Sequence, residues 1–264
     1  MGSKISFYLE NRKHLKWSPE KLKSLQKEAL NSIFYDAFKA IKNVNHFTKP
    51  EIQFYEHFGK DGELDLDLTL EENPEFFKSG YLKGVWLKTF SQKKFRITVI
   101  IDMSLSMSGK KIYQTAVALT ILSLHFPESE ISIVGFQNQA FIIKEFFEKI
   151  SIDKMLLKFL GSPSDGFTNI EEGLKLALRI NQSKGNLKKV SVMMTDGKYT
   201  EGKNPIYLAK KFRKLHVIQM GYDSDHRKIC YHLSRMGNGN LYKSLEVNHL
   251  PEVMYRFVKD LGRE

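Results

Sequence analysis

A chain of 264 residues with 42% hydrophobic and 12% aromatic side chains can bury a sizeable core, which excludes an intrinsically disordered protein. Its single cysteine, Cys230, excludes an intramolecular disulfide and fits a reducing compartment. The net charge of +11 reads as a lysine surplus that favours solubility and gives weak attraction to polyanions. No recognition helix or single-strand-binding motif accompanies it, so nucleic acid is not expected as the main partner.

No apolar run approaches the ~18 residues a membrane span needs. The polar, soon charged start of the chain has no signal-peptide core, so a cytoplasmic protein is expected. Residues 1–19 carry weak signals. Ser18-Pro19 then reads as an N-cap followed by proline at the first helical position. Leu22, Leu25, Ala29, Ile33, Ala37 and Ile41 extend a helix to about residue 44, with an apolar face broad enough to lie on something large. Further on, Leu64, Leu66, Leu68 and Leu70 alternate with Asp65, Asp67 and Thr69. That is strand periodicity, and it predicts an acidic strand over 63–70, either an edge protected by its carboxylates or a docking stripe for a basic partner. Residues 74–94 read as a connector with aromatic anchors. Residues 1–94 are therefore taken as an N-terminal extension with a helix and a strand, ahead of a main domain at 95–264.

From Phe95 onward strands and helices alternate, which indicates parallel βαβ units. Strands are predicted at 95–101, 130–136, 139–145, 188–194, 214–220 and 240–244. Helices are predicted at 109–125, 152–160, 169–182, 204–213, 225–236 and 248–261. Strands 130–136 and 139–145, joined by Gln137-Asn138, form a hairpin that places one antiparallel strand at a sheet edge. The fold class is doubly wound, Rossmann-like α/β with a mostly parallel sheet. Such sheets bind ligands at the carboxyl ends of their strands.

Three loops fall at that edge. Asp102-Met-Ser104-Leu-Ser106 follows the first core strand. Gly161-Ser-Pro-Ser-Asp165-Gly166-Phe167-Thr168-Asn169 precedes a helix. Thr195-Asp196-Gly197 follows strand 188–194. Read singly, each has a plain alternative: the serines and Thr168 as helix caps, Asp196 as a turn residue.

Taken in order, Asp-x-Ser-x-Ser after a buried strand, a distant threonine in a glycine-bearing loop and Thr-Asp-Gly after a later strand resemble the von Willebrand factor A (VWA) domain. The resemblance covers about residues 95–262. It implies a metal-ion-dependent adhesion site (MIDAS) at Asp102, Ser104, Ser106, Thr168 and Asp196. The ion implied is Mg²⁺, with Mn²⁺ as the alternative. Mg²⁺ takes about six hard oxygens. Hydroxyls of Ser104 and Ser106 can coordinate directly, Thr168 directly or through water, while Asp102 and Asp196 hold water ligands and supply charge. In the family, an acidic side chain from a protein partner completes the coordination. Two departures stand out. Leu105 replaces the usual glycine between the serines, and Asp165-Gly166-Phe167 stands where paired glycines are usual. Asp165 is a spare candidate ligand.

The acidic Gly62-to-Leu70 stretch ahead of the domain resembles the arrangement in CoxE-like proteins that work beside MoxR-type AAA+ ATPases. This implies an adaptor with no catalysis of its own. Enzyme motifs do not fit: a P-loop needs glycine where Ser104 stands, the Gly-x-Ser-x-Gly elbow is absent, and Gly237-Asn-Gly239 lacks a nucleotide context. His226, Cys230 and His232 are not at zinc spacing on one helix face. Two alternatives remain beside the adaptor: an RNA-associated VWA protein, favoured by the charge, and a Mg²⁺-dependent hydrolase, which lacks a candidate general base.

Overall fold

A computed structural model describes residues 3–11, 18–42, 51–57, 63–72, 83–89, 94–164, 166–183, 185–221 and 227–263. The chain divides into two compact units, one formed by Met1–Val44 with Lys94–Glu264 and the other by Asn45–Lys93. The N-terminal residues are thus shared between the units, and the stretch expected as one extension is split at its middle.

In the first unit, α1 (Ser3–Asn11) and α2 (Pro19–Lys42) precede the main sheet. Nothing in the sequence singled out α1. It is short, but Ile5, Tyr8 and Leu9 fall on one face and are buried. The spacing that predicted α2 buries Leu25, Ala29, Ile33, Ala37 and Ala40. Alanine at three of those positions lets the helix lie close to its neighbour.

The second unit holds β1 (Glu51–His57), β2 (Glu63–Leu64), α3 (Leu66–Glu72) and β3 (Lys83–Thr89), with strand order β1-β3-β2 and antiparallel pairing. Two expectations change here. The connector contains β3, and the acidic strand expected over 63–70 is only Glu63–Leu64 before the chain turns helical. Asp65 causes the switch. Its Oδ1 accepts from Leu68 N at 3.2 Å and its carbonyl accepts from Thr69 N at 3.0 Å, an N-cap that outweighs a short alternating pattern. Thr69 is buried, and its hydroxyl accepts from Trp86 N at 3.0 Å.

The main sheet follows. Its strands are β4 (Phe95–Asp102), β5 (Glu130–Phe136), β6 (Ala140–Lys144), β7 (Lys188–Thr195), β8 (Leu215–Met220) and β9 (Asn238–Ser244). The order is β6-β5-β4-β7-β8-β9. Every pairing is parallel except β5 with β6, which closes one edge antiparallel. Helices cover both faces: α4 (Lys110–His125), α5 (Ile152–Gly161), α6 (Ile170–Asn181), α7 (Ile206–Ala209), α8 (Arg227–Met236) and α9 (Leu250–Arg263). β4 is buried along its whole length, which is why it reads as an unbroken β-branched run. One core lies between the sheet and α2, α4, α5 and α9, and the other under α6, α7 and α8.

α2 belongs to the first core. The Tyr113 hydroxyl on α4 donates to Asp36 Oδ2 at 2.7 Å and lies 2.8 Å from Ser32 Oγ. Burial pushes that hydroxyl's pKa upward. The helix expected at 204–213 is cut to a single turn, α7. Lys211 N and Phe212 N bond back to Leu208 O and Ala209 O in tight turns, so that Phe212 enters the core and the chain can start β8 at once.

Candidate metal centre

β4 and β7 run parallel with Ile101 opposite Met194, so Asp102 and Thr195-Asp196 leave the sheet side by side at its carboxyl edge. Asp102 is fully buried. Its Oδ1 accepts from Ser104 N at 3.0 Å and its Oδ2 from Thr195 Oγ1 at 2.7 Å. Thr195 Oγ1 in turn accepts from Gly197 N at 3.0 Å, which fixes the direction of its own proton. Desolvation raises the Asp102 pKa from 3.8 to about 6, opposed by these hydrogen bonds and assisted by the nearby Asp196 charge.

The chain then makes a single 3₁₀ turn at Leu105–Met107. It brings Ser104 Oγ and Ser106 Oγ to 3.1 Å from each other. Ser104 is buried, Ser106 partly exposed and Leu105 61% exposed. Gly109, at φ 66°, redirects the backbone into α4.

Asp196 is also fully buried. Its Oδ1 accepts from Lys198 N at 3.1 Å and its Oδ2 from Lys111 Nζ at 2.7 Å. Lys111 stands on the first turn of α4, and its aliphatic stem passes Gly221. A Cβ there would lie 2.8 Å from Lys111 Cε, at a φ of 86° that already favours glycine. Among the described residues the edge therefore holds two buried carboxylates and one ammonium. The ammonium sits on Asp196, and the hydrogen bonds to Asp102 come from the neutral donors Ser104 and Thr195.

Thr168 arrives from the loop before α6. Its carbonyl accepts from Thr200 N at 3.0 Å and Glu201 N at 3.2 Å, and its amide donates to Thr200 Oγ1 at 3.0 Å. The stretch that follows Asp196 thus clamps the threonine backbone on both sides. Asn169, not Thr168, caps α6, its side chain accepting from Glu172 N at 3.2 Å. The Thr168 hydroxyl is left uncommitted among the described residues. From the other side, the β5–β6 turn holds the loop: Asn138 Oδ1 accepts from Phe167 N at 2.7 Å, and Gln137 O accepts from Asn169 N at 2.9 Å. Phe167 is 58% exposed. Asp165 lies outside the described residues.

The five residues singled out in the sequence thus come from three loops at the carboxyl edge of one sheet, with Ser104 and Ser106 in direct contact and Thr168 tied to the stretch after Asp196. Sequence reasoning assigned no role to Lys111 and Thr200, and gave Thr195 only a place in the Thr-Asp-Gly motif and Asn138 only one in the hairpin turn. Lys111 neutralises and the others position, each acting on a residue at least 29 positions away, which no local pattern marks. Cys230 and His232 do not form a second centre. Cys230 is buried, with its thiol pushed up to about 12 by desolvation, whereas His232 faces solvent and His226 is outside the described residues.

The Rv0959-like protein vWA-domain family matches residues 96–241, more than half of the chain. The chain belongs to that vWA family. Among curated proteins none matches its sequence. The vWA fold is shared with an aerotolerance-related membrane protein from Bacteroides fragilis, at a TM-score of 0.52 and 15% identity over 63% of this chain and 99% of that one. It is shared with proximal thread matrix protein 1 of the mussel byssus in a form with a zinc-occupied MIDAS motif, at 0.53 and 18% over 64% of this chain and 48% of that one. The PilB minor pilin of Streptococcus sanguinis gives 0.52 and 14% over 70% and 66%. At these identities the likeness is one of fold. Among the described residues no helix of this vWA protein is long and apolar enough to cross a membrane.

The vWA centre has a donor set that suits a small hard cation. Among the described residues it offers oxygens, three of them hydroxyls, with a carboxylate, Asp102, that meets no cation. Among the described residues no three His, Cys, Asp or Glu side chains gather as a metal group, so any ion here would rest on the hydroxyls as much as on the acids.

Proposed function

We propose that this vWA domain is a metal-dependent protein-binding module. Ser104, Ser106 and Thr168 would hold a divalent ion through their hydroxyls, with Asp102 and Asp196 supplying negative charge around it. The ion would be Mg²⁺, or Mn²⁺ in its place, and when bound it supplies Lewis acidity toward an incoming carboxylate. The observation that carries the reading is the Asp102 carboxylate, buried and lifted to about 6, beside hydroxyls with spare lone pairs. Such a charge is held at a cost that a cation would remove.

Neutral direct donors leave a cation electron-poor, so an acidic side chain from a partner would complete its coordination. Leu105 and Phe167, exposed on the serine and threonine loops, would form an apolar contact around that carboxylate. The zinc-occupied MIDAS of the mussel protein supports the reading by analogy of fold. The domain would act as an adaptor without catalysis of its own, and a MoxR-type AAA+ ATPase is the partner class suggested by the acidic stretch before the domain.

Calorimetric titration with Mg²⁺ and Mn²⁺, followed by capture from native lysate with and without EDTA, tests this. Asp102→Ala and Ser104→Ala should lose both ion binding and EDTA-sensitive capture while remaining folded. Ion binding unchanged in both variants would sink the assignment.

A further inference from the structure

The sheet's opposite edge carries a different chemistry. At the amino ends of β7 and β8 a groove of about 500 Å³ opens between the last turns of α6 and the segment after α7. Its polar floor includes Asn181, Gln182 and Ser191, and its rim carries Lys175, Arg179, Lys189, Lys211, Arg213 and Lys214, with no acidic side chain in the lining. Lys175 is paired with Glu171 and Glu172. Among the described residues Lys189 is bound to the carbonyls of Asn181 and Ser183, at 2.8 and 2.9 Å, which orients its ammonium without neutralising it. Arg179, Lys211 and Arg213 are exposed and have no acidic partner among the described residues.

The cations at the start of the neighbouring β4 are matched, Lys94 with Glu128 and Arg96 with Glu130. Lys111 is matched by Asp196 and Lys158 by Glu148. Around this groove, by contrast, Arg179, Lys211 and Arg213 gather without such a match among the described residues.

A second groove, of about 690 Å³, lies beyond the hydrogen bond of 2.7 Å from Leu215 N to Gly237 O that joins the starts of β8 and β9. It combines Arg235, Lys243 and Lys259 with Tyr231 and Tyr255, and the carboxylate in its lining, Asp260, accepts from Asn240 Nδ2 and Tyr242 Oη. Tyr231 is 51% exposed and stands one helical turn before Arg235, so a ring face and a guanidinium are offered side by side. Arg179, Lys211 and Arg213 around a polar groove, continued by the exposed ring of Tyr231, suit a chain of phosphates carrying flat bases. An acidic peptide would need an apolar anchor pocket, and Leu208 and Phe212 in the first groove are buried.

We propose that this amino-terminal edge binds the sugar–phosphate backbone of single-stranded nucleic acid, independently of the metal centre at the other end of the sheet. Arg179, Lys211 and Arg213 would neutralise successive phosphates, and Tyr231 would take a base by stacking.

The test is fluorescence polarisation of the full chain with a fluorescein-labelled mixed-sequence 20-nucleotide RNA across a KCl series. It compares the triple variant Arg179→Ala/Lys211→Ala/Arg213→Ala with Lys23→Ala/Lys27→Ala/Lys39→Ala. The second removes equal charge from exposed positions of α2, on the other face of the sheet. The groove triple should lose about tenfold or more in affinity. Its log–log salt slope should shrink by about 2, the share of three phosphate contacts on a single strand. The α2 triple should stay within about twofold, EDTA should change nothing, and single Arg213→Ala should move affinity in the same direction. Equal losses in the two triples, no binding by the unaltered chain, or competition by polyglutamate as strong as by unlabelled RNA would each overturn the proposal. The last would assign the groove to an acidic protein.

Discussion

Replacing Asp102 by asparagine should stabilise the metal-free protein while removing its response to metal. The Asp102 carboxyl is fully buried, and its pKa rises from 3.8 to about 6. A carboxyl whose folded pKa exceeds its unfolded value holds its proton more tightly when folded. Its contribution is therefore fully present below about pH 4 and is lost as pH rises through about 6. A shift of roughly 2 units at about 1.4 kcal/mol each makes the loss about 3 kcal/mol at pH 7. Asparagine keeps an Oδ1 acceptor for Ser104 N and carries no charge to bury, while its Nδ2 gives up the bond that Oδ2 accepts from Thr195 Oγ1, so about 3 kcal/mol is an upper bound on the gain. A divalent ion present at ~100 times its Kd would return about 2.7 kcal/mol to the unaltered protein. Urea unfolding between pH 4 and 7, in EDTA and in Mg²⁺, measures both effects. The unaltered chain in EDTA should weaken across that window and recover with Mg²⁺. Asp102→Asn should be more stable at pH 7 by up to about 3 kcal/mol and indifferent to the ion. Equal Mg²⁺ stabilisation of the two proteins would refute the reasoning, as would an unaltered chain whose stability stays flat from pH 4 to 7.

Other perturbations probe neighbouring contacts. Lys111→Met strips the counter-charge from buried Asp196; as Lys111 is 24% exposed, the loss in EDTA should be near the lower end for a broken buried pair, about 3 kcal/mol, and Mg²⁺ should return part of it. Gly221→Ala adds a methyl 2.8 Å from Lys111 Cε at positive φ; a loss of about 2 kcal/mol and a weaker Lys111–Asp196 pair are expected, read by thermal unfolding and by the Lys111 ammonium NMR signal. Leu105→Ser and Phe167→Ala should leave ion affinity by calorimetry within about twofold yet cut partner capture severalfold, because these exposed side chains would touch the partner and not the ion. Tyr113→Phe removes the hydroxyl that bonds Asp36 and Ser32 and should cost about 2 kcal/mol in urea unfolding, since one of the lost bonds is to a charged acceptor.

What could be read from the sequence tracks how local the determining physics is. β4 and β7 are buried through most of their length, so Ile97–Ile101 and Val190–Met194 read as mainly apolar stretches, and the buried carboxylates of Asp102 and Asp196 mark where each gives way to polar loop. The antiparallel edge strand β6 was legible because Gln137-Asn138 is too short for a parallel crossover. The 63–70 segment misled because three of its four alternating leucines, Leu66, Leu68 and Leu70, also fit two sides of a short helix, and the deciding feature was one side-chain oxygen on Asp65. α7 shrank for a tertiary reason, the need to bury Phe212. The metal centre's candidate ligands were legible as a resemblance of motif. Its charge balance was not: Lys111 follows another lysine at the start of a helix buried from Ile112 to Leu122, and only the fold, which lays its stem past Gly221, makes it the partner of Asp196.

The division of the chain has a consequence for how it assembles. Met1–Val44 and Lys94–Glu264 form one unit with the other unit's sequence between them, so α2 reaches α4 across an intervening folded segment. Contacts such as Ser32 to Tyr113 span 81 positions, and closing so long a loop is slow. The vWA core should therefore collapse first, leaving the face of α4 exposed until α2 docks. Once docked, α2 is held by Ala29, Ile33, Ala37 and the Tyr113 bonds and not by the chain connection alone. A polypeptide cut within 45–93 should behave as a complementing pair, with the 1–44 fragment re-associating with 94–264 as a separate strand of the same core.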